Sequence, residues 1–228
     1  MLYGSQARGT PHAHSDIDIL VLVKETPCSA SDGDLTITAY LPSHLRALAE
    51  RGSLFVLHLI HDGVVLHDPE SELTDILTAY RPPSDPYRLS TECAVAAGGL
   101  LSATLNERTT FGAGMQSLAF YILRTAAYDA CARQGRPEFD CAVALEKLQL
   151  ARLVPLLNER REAYSEERLD QLLAALPVVL PGCDKLREAG LAATAVAIAD
   201  TWPLACDLLS GVLAGQAVDY TALFLPLT

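Results

Sequence analysis

Two short polar elements near the amino terminus carry residue types and a spacing suited to phosphate and metal chemistry. Gly4-Ser5 is followed, after ten intervening residues, by Asp16-Ile17-Asp18. Residues 17–23 form an apolar run that reads as a buried strand, and successive side chains of a strand alternate between its faces. Asp16 and Asp18 therefore share one face, and Ile17 and Ile19 the other. Two carboxylates side by side repel, each resisting the ionisation of the other. A divalent cation removes that cost. Mg²⁺ takes one or two protein carboxylates and completes its octahedron with water and substrate phosphates, so the pair predicts a metal that also holds a nucleotide. Gly4 permits a tight turn and a close backbone approach, and Ser5 is placed to cap a helix whose free N–H groups favour a phosphate.

The Gly-Ser, the spacer and the Asp-x-Asp between apolar residues, continued after the Gly-Ser by Ala7-Arg8-Gly9, resemble the nucleotidyltransferase superfamily typified by DNA polymerase β. The likeness is greatest to its small prokaryotic members, the minimal and aminoglycoside-nucleotidyltransferase-like kind. Gln6 departs from the arginine that many relatives carry there. The resemblance implies an α/β (α+β) domain with a small mixed sheet over residues 1–80. It also implies transfer of a nucleoside monophosphate, AMP from ATP, to a hydroxyl of a small molecule or protein. Two Mg²⁺ ions would be held by Asp16 and Asp18, and the nucleotide by Gly4, Ser5 and Ser15. Arg8 either adds charge at the phosphates or serves in a surface or structural ion pair.

The family's third carboxylate lies on a later strand. Residues 34–40 alternate at period two, with Leu35 and Ile37 on one face and Asp34, Thr36 and Thr38 on the other. That second face is the one carrying Asp16 and Asp18 if the two strands are neighbours in register. Asp34 has the parity of the third acid, as metal ligand or as base for the attacking hydroxyl. Another alignment puts Thr36 or Thr38 there and leaves the site one acid short, and Asp34 also reads as closing an Asp-Gly-Asp turn. Residues 25–33, rich in Pro, Ser, Asp and Gly, read as a loop. Relatives usually place a helix and most of a strand before the Gly-Ser, so the three residues here predict a stub of a first strand or a start internal to a longer protein. Loss of that helix would leave one face of the sheet less covered.

Further elements follow from their end signals. Ser43 is placed to cap a helix over residues 44–51, Ser53 starts another through residue 60, and Val64-Val65-Leu66 reads as an edge strand. His58 and His61, three apart on one helical face, have a metal-binding spacing without a third ligand, which favours packing or surface roles. His12 and His14 flank the loop before the Asp-x-Asp, where a phosphate contact competes with the commoner free loop histidine. Residues 81–86, with three prolines, read as a linker. Residues 87–228 read as a helical bundle with helices over 87–106, 112–133, 139–150, 166–176 and 185–213, the last kinked at Pro203.

Composition bounds the partners. The 228 residues carry a net charge of −11, and the first eighty hold four basic against eleven acidic residues, a net of −7. Tight tracking of a nucleic-acid backbone needs clustered Lys and Arg, so a nucleic-acid polymer is disfavoured as acceptor. The six cysteines lack metal or redox spacing and read as small residues of a reducing compartment. With no signal peptide and no apolar run long enough to span a bilayer, a cytoplasmic protein without a membrane is expected. A helical bundle beside such a domain also resembles the HEPN kind, whose ribonuclease motif pairs an Arg with a His four to six residues on. Here Arg124 is followed by Asp129, and the chain has no histidine after His67, so the bundle is expected to wall an acceptor site or to bind a second copy or a protein partner. The competing reading is a catalytically weak or inactive nucleotidyltransferase kept as an antitoxin-like interaction protein.

Overall fold

In a computed structural model, residues 1–11, 15–83, 88–158, 163–186 and 190–215 are described. His12, His14 and linker residues 84–86 lie outside them. The described residues divide into two compact units, one within Met1–Tyr87 joined by Pro137–Asp140, the other within Arg88–Arg136 and Cys141–Asp219.

The first unit is built on a mixed four-stranded sheet in the order β1-β2-β4-β3. The strands are β1 (Leu2–Tyr3), β2 (Ile17–Leu22), β3 (Cys28–Asp32) and β4 (Leu35–Tyr40). β2 and β4 run parallel with Asp18 opposite Thr36 and Leu20 opposite Thr38, while β1 pairs antiparallel to β2 with Tyr3 opposite Asp18. β1 spans two residues. The expected loop at 25–33 is replaced by β3, which forms a hairpin with β4 through Gly33 and Asp34. Gly33 sits at φ 59°, at the first central position, where two-residue hairpin loops of type II′ place glycine. β3 escapes composition because its residues are largely exposed and its strand conformation comes from pairing with β4.

Four helices complete this unit: α1 (Gly4–Arg8), α2 (Pro42–Glu50), α3 (Leu54–Asp62) and α4 (Glu72–Thr78). Ser53 caps α3 by accepting from the Phe55 N–H, as its position predicts. Ser43 does not cap α2, which begins one residue earlier at Pro42, a residue whose missing N–H costs nothing at a helix start. Residues 64–66 form no strand; Val64 alone bridges Leu2. The core joins Leu20 and Tyr40 of the sheet to Leu45, Val56, Leu59, Leu73 and Ile76 of α2, α3 and α4. It therefore lies on the face shared by Asp18, Leu20, Thr38 and Tyr40, the last three about 1% exposed. The other face leaves Ile17 and Ile37 at 40% and 38% exposure.

The second unit is helical: α5 (Arg88–Ser102), α6 (Leu105–Arg133), α7 (Cys141–Lys147), α8 (Val154–Asn158), α9 (Glu166–Val179), α10 (Leu191–Ile198) and α11 (Pro203–Leu213). α6 is buried around most of its middle, from Met115 to Ala127, which marks it as the central helix. α9 runs past the predicted end at residue 176, carrying Pro177 in its last turn. The single kinked helix expected over 185–213 is two helices, because Pro203 cannot donate to the preceding turn and instead opens α11. Two glutamates satisfy the N-terminal N–H groups of these late helices. Glu107, in a capping box with Thr104, also accepts from Leu191 and Ala192 at the start of α10; buried Glu92 accepts from Ala205 at 2.9 Å at the start of α11. Cys93, Cys131 and Cys183 are buried and Cys28 is exposed, all as free thiols. Among the described residues no helix is long and apolar enough to cross a membrane.

Candidate active site

The Gly-Ser turn and the Asp-x-Asp strand meet at one end of the sheet. Tyr3 closes β1, and Gly4 turns the chain into α1 at φ 76°, a conformation that favours glycine. α1 ends at Gly9 in the left-handed region. β1 lies beside β2 with Tyr3 opposite Asp18, so the turn falls directly against the aspartate. A Cβ added to Gly4 would stand 2.9 Å from Asp18 Oδ2. Ser5, expected as the cap, lies instead within α1, whose N-cap is Tyr3 without a side-chain cap bond; Arg8 ends α1, and Ser15 and Asp16 lead into β2.

One row of side chains crosses all four strands on the Asp18 face. Tyr3 opposes Asp18, Asp18 opposes Thr36 and Thr36 opposes Ser31, whose hydroxyl lies 3.1 Å from that of Thr36. The expected register of β2 and β4 is therefore present, and it places Thr36 directly beside Asp18. Asp34 lies two residues earlier, exposed in the hairpin turn, where its carbonyl accepts from the Ile17 N–H at 2.7 Å. Its backbone is thus next to Asp16–Ile17, and its parity matches that of Asp16 and Asp18.

Among the described residues no group of three or more His, Cys, Asp or Glu side chains is assembled to hold a metal ion. The donor set on offer is the two-carboxylate one, and it fits Mg²⁺, which relies on one or two protein carboxylates with the substrate's phosphates supplying further oxygens. The close approach of Gly4 to Asp18 keeps side-chain bulk away from those oxygens.

Tyr3 is a site residue that the motif does not announce. Its phenol is pushed up to about 12, first by burial and then by the Asp18 carboxylate. Its ring meets Phe55 edge-on at 6.0 Å and His58 at 5.9 Å, and His58 stacks on Phe139 at 4.5 Å. Tyr3 thereby fastens the β1 side of the site to α3.

Arg8 is engaged within the protein. Its Nη1 lies 2.5 Å from Asp62 Oδ2, and its Nη2 lies 4.0 Å from Asp140. Asp62, at the end of α3 with its side chain 1% exposed, also has His61 Nδ1 at 2.5 Å and His58 Nε2 at 3.1 Å. Burial alone would raise the Asp62 pKa, but the contacts with His58, His61 and Arg8 outweigh it and hold the carboxyl well below the usual range. The two histidines with metal-like spacing thus serve a buried carboxylate.

The family model described as nucleotidyltransferase domain matches residues 1–49. That span contains Gly4, Ser5, Arg8, Ser15, Asp16, Asp18 and Asp34. The match supports the polymerase β-type superfamily, and with it nucleotidyl transfer by an enzyme that uses a nucleotide substrate, usually with a divalent metal. It covers 49 of the 228 residues and none of the second unit. No curated protein matches the chain.

Proposed function

We propose that this protein is a Mg²⁺-dependent nucleotidyltransferase that moves AMP from ATP to a hydroxyl of a small molecule or protein. The observation that carries the reading is the packing of Gly4 against Asp18, which brings the phosphate turn and the carboxylate strand to one place. A bound metal supplies charge neutralisation of the triphosphate and of the attacking and leaving oxygens. Asp16, just before β2, and Asp18 within it would hold that metal. Gly4 and Ser5 receive the terminal phosphates, with Ser15 at the other rim. The acceptor oxygen attacks the α-phosphorus as the bond to the β-phosphate bridging oxygen breaks, pyrophosphate leaves, and the acceptor proton passes to Asp34. The remaining work is alignment and the exclusion of charge repulsion.

The acidic balance disfavours a nucleic-acid polymer and suits a small cationic or protein acceptor. The helical unit supplies the surface for a second copy or a protein partner, and the scattered free thiols suit the cytoplasm. Incubation with labelled ATP, Mg²⁺ and a panel of acceptors that includes the protein itself tests the reading by mass. A nucleotide adduct that disappears in Asp16→Asn/Asp18→Asn is expected. Absence of any Mg²⁺-dependent adduct or ATP binding would overturn it.

A second reading is favoured by one observation: a threonine, Thr36, occupies the place directly beside Asp18. On that reading the domain is a weak or inactive nucleotidyltransferase kept for binding, in the manner of an antitoxin. Retained Mg²⁺-dependent ATP binding with no transfer to any acceptor would support it.

A further inference from the structure

We propose that Asp62 is a positioning residue for nucleotidyl transfer, acting through Arg8 to hold α1, and hence Gly4, against Asp18. The inference rests on the nucleotidyltransferase reading and deepens it by giving Arg8 the role of a strut.

Arg8 ends the five-residue helix that starts at Gly4. A helix this short has little intrinsic stability, since one turn fixes several residues for very few hydrogen bonds. Something outside it must hold it. The Arg8–Asp62 pair supplies that tie, with side-chain exposures of 16% and 1%, and it spans 54 positions of sequence. Charge accounting favours a strut over a phosphate contact: Arg8 has Asp62 on one side, paired through Nη1, and Asp140 on the other, 4.0 Å from Nη2. A guanidinium between two carboxylates has little net charge left for a triphosphate.

Asp62 is in turn fixed by its surroundings. His61 and His58 contact its two oxygens. Phe139 stacks on His58 and meets His61 at 5.8 Å, and Tyr3, opposite Asp18, meets the His58 ring edge-on at 5.9 Å. One connected set of contacts therefore runs from Asp62 to both halves of the site, through Arg8 to the Gly-Ser helix and through His58 and Tyr3 to the strand that bears Asp18. Breaking a buried pair leaves an uncompensated charge, so loss of Asp62 should release α1 without touching substrate.

The test compares Asp62→Asn, Arg8→Gln and the double variant in the full chain. Two readouts are taken: amide hydrogen exchange over residues 4–10 without nucleotide, and ATP affinity with Mg²⁺. Each single variant is expected to speed exchange at least tenfold and to weaken ATP affinity about tenfold, and the double variant to be no worse than Arg8→Gln alone. Ile76→Val, which thins the core away from the site, should lower Tm yet leave both readouts as in the wild type. If Asp62→Asn does not fold, Asp62→Glu replaces it, with smaller changes of the same sign expected. Wild-type exchange in residues 4–10 of the Asp62 variant overturns the proposal, and so do losses that multiply in the double variant, the pattern of a direct phosphate contact by Arg8. Wild-type protein that binds no ATP with Mg²⁺ overturns the underlying functional reading. The exchange data separate the two failures.

Discussion

Gly4 and Asp18 lie so close that any side chain on the glycine would collide with the carboxylate: a Cβ there would stand 2.9 Å from Asp18 Oδ2. The contact joins a backbone turn to a charged side chain fourteen positions later in the chain. The backbone at Gly4 is also left-handed, φ 76°, which glycine adopts without strain and a residue with a Cβ does not. Gly4→Ala is therefore expected to cost about 1–2 kcal/mol from the backbone conformation alone, and more as Asp18 is displaced. Thermal unfolding gives the stability loss, and titration with ATP and Mg²⁺ should show affinity falling at least tenfold. Unaltered affinity in a folded Gly4→Ala protein would mean that the glycine does not shape the site.

The third carboxylate can be located by exchange. Thr36 stands beside Asp18 while Asp34 lies in the turn beside Ile17. Asp34→Asn should reduce nucleotide transfer at least tenfold with Tm nearly unchanged, since an exposed turn residue contributes little to stability. Adding Thr36→Asp to that variant should restore part of the activity, because it sets a carboxylate in register with Asp18. Full activity in Asp34→Asn would reduce Asp34 to closing its turn.

Tyr3 gives a prediction in pH. Its phenol is raised from 10.0 to about 12 by burial and by Asp18. The folded state therefore keeps the proton that the unfolded chain gives up first. The resulting stabilisation is fully present below pH 10 and is lost as pH rises through 12. Two units correspond to about 3 kcal/mol. In alkaline melts, Tyr3→Phe should remove most of the steepening between pH 10 and 12; an identical alkaline limb in the variant would refute the assignment.

In the helical unit, Glu107 serves two helices at once, closing its own capping box and receiving Leu191 and Ala192 at the start of α10. Glu107→Ala should cost on the order of 1–2 kcal/mol, the range of a lost cap and its hydrogen bonds. Denaturant unfolding measures it. A loss under half of the lower figure would argue that water replaces the carboxylate.

The features legible in the sequence are those that depend on local pattern. The apolar run over residues 17–23 and the alternation over residues 34–40 correctly mark both central strands, observed as Ile17–Leu22 and Leu35–Tyr40, and the fixed side-chain period of two puts Asp18, Thr36 and Thr38 on a common face. Pattern could not say which face would be covered. The helices lie over the side bearing Leu20, Thr38 and Tyr40, and Ile17 and Ile37 remain partly exposed. β3 was illegible because Cys28–Asp32 is a polar edge that becomes a strand only by pairing. The spacing of His58 and His61 without a third ligand favours packing or surface roles, but it does not show that the residue organising them is their neighbour Asp62, whose cationic partner Arg8 lies 54 positions away. Periodicity has no view of such a tie.

The central claim is that Asp16 and Asp18 form a metal site that holds a nucleotide triphosphate. It is tested most directly by ATP titration in the presence and absence of Mg²⁺ for the wild type and Asp16→Asn/Asp18→Asn, with Tm recorded alongside. The account predicts Mg²⁺-dependent binding in the wild type, and its loss by at least a hundredfold in a double variant that is no less stable, since removing adjacent like charges relieves repulsion. Equal binding by the two proteins, or wild-type binding indifferent to Mg²⁺, would contradict it.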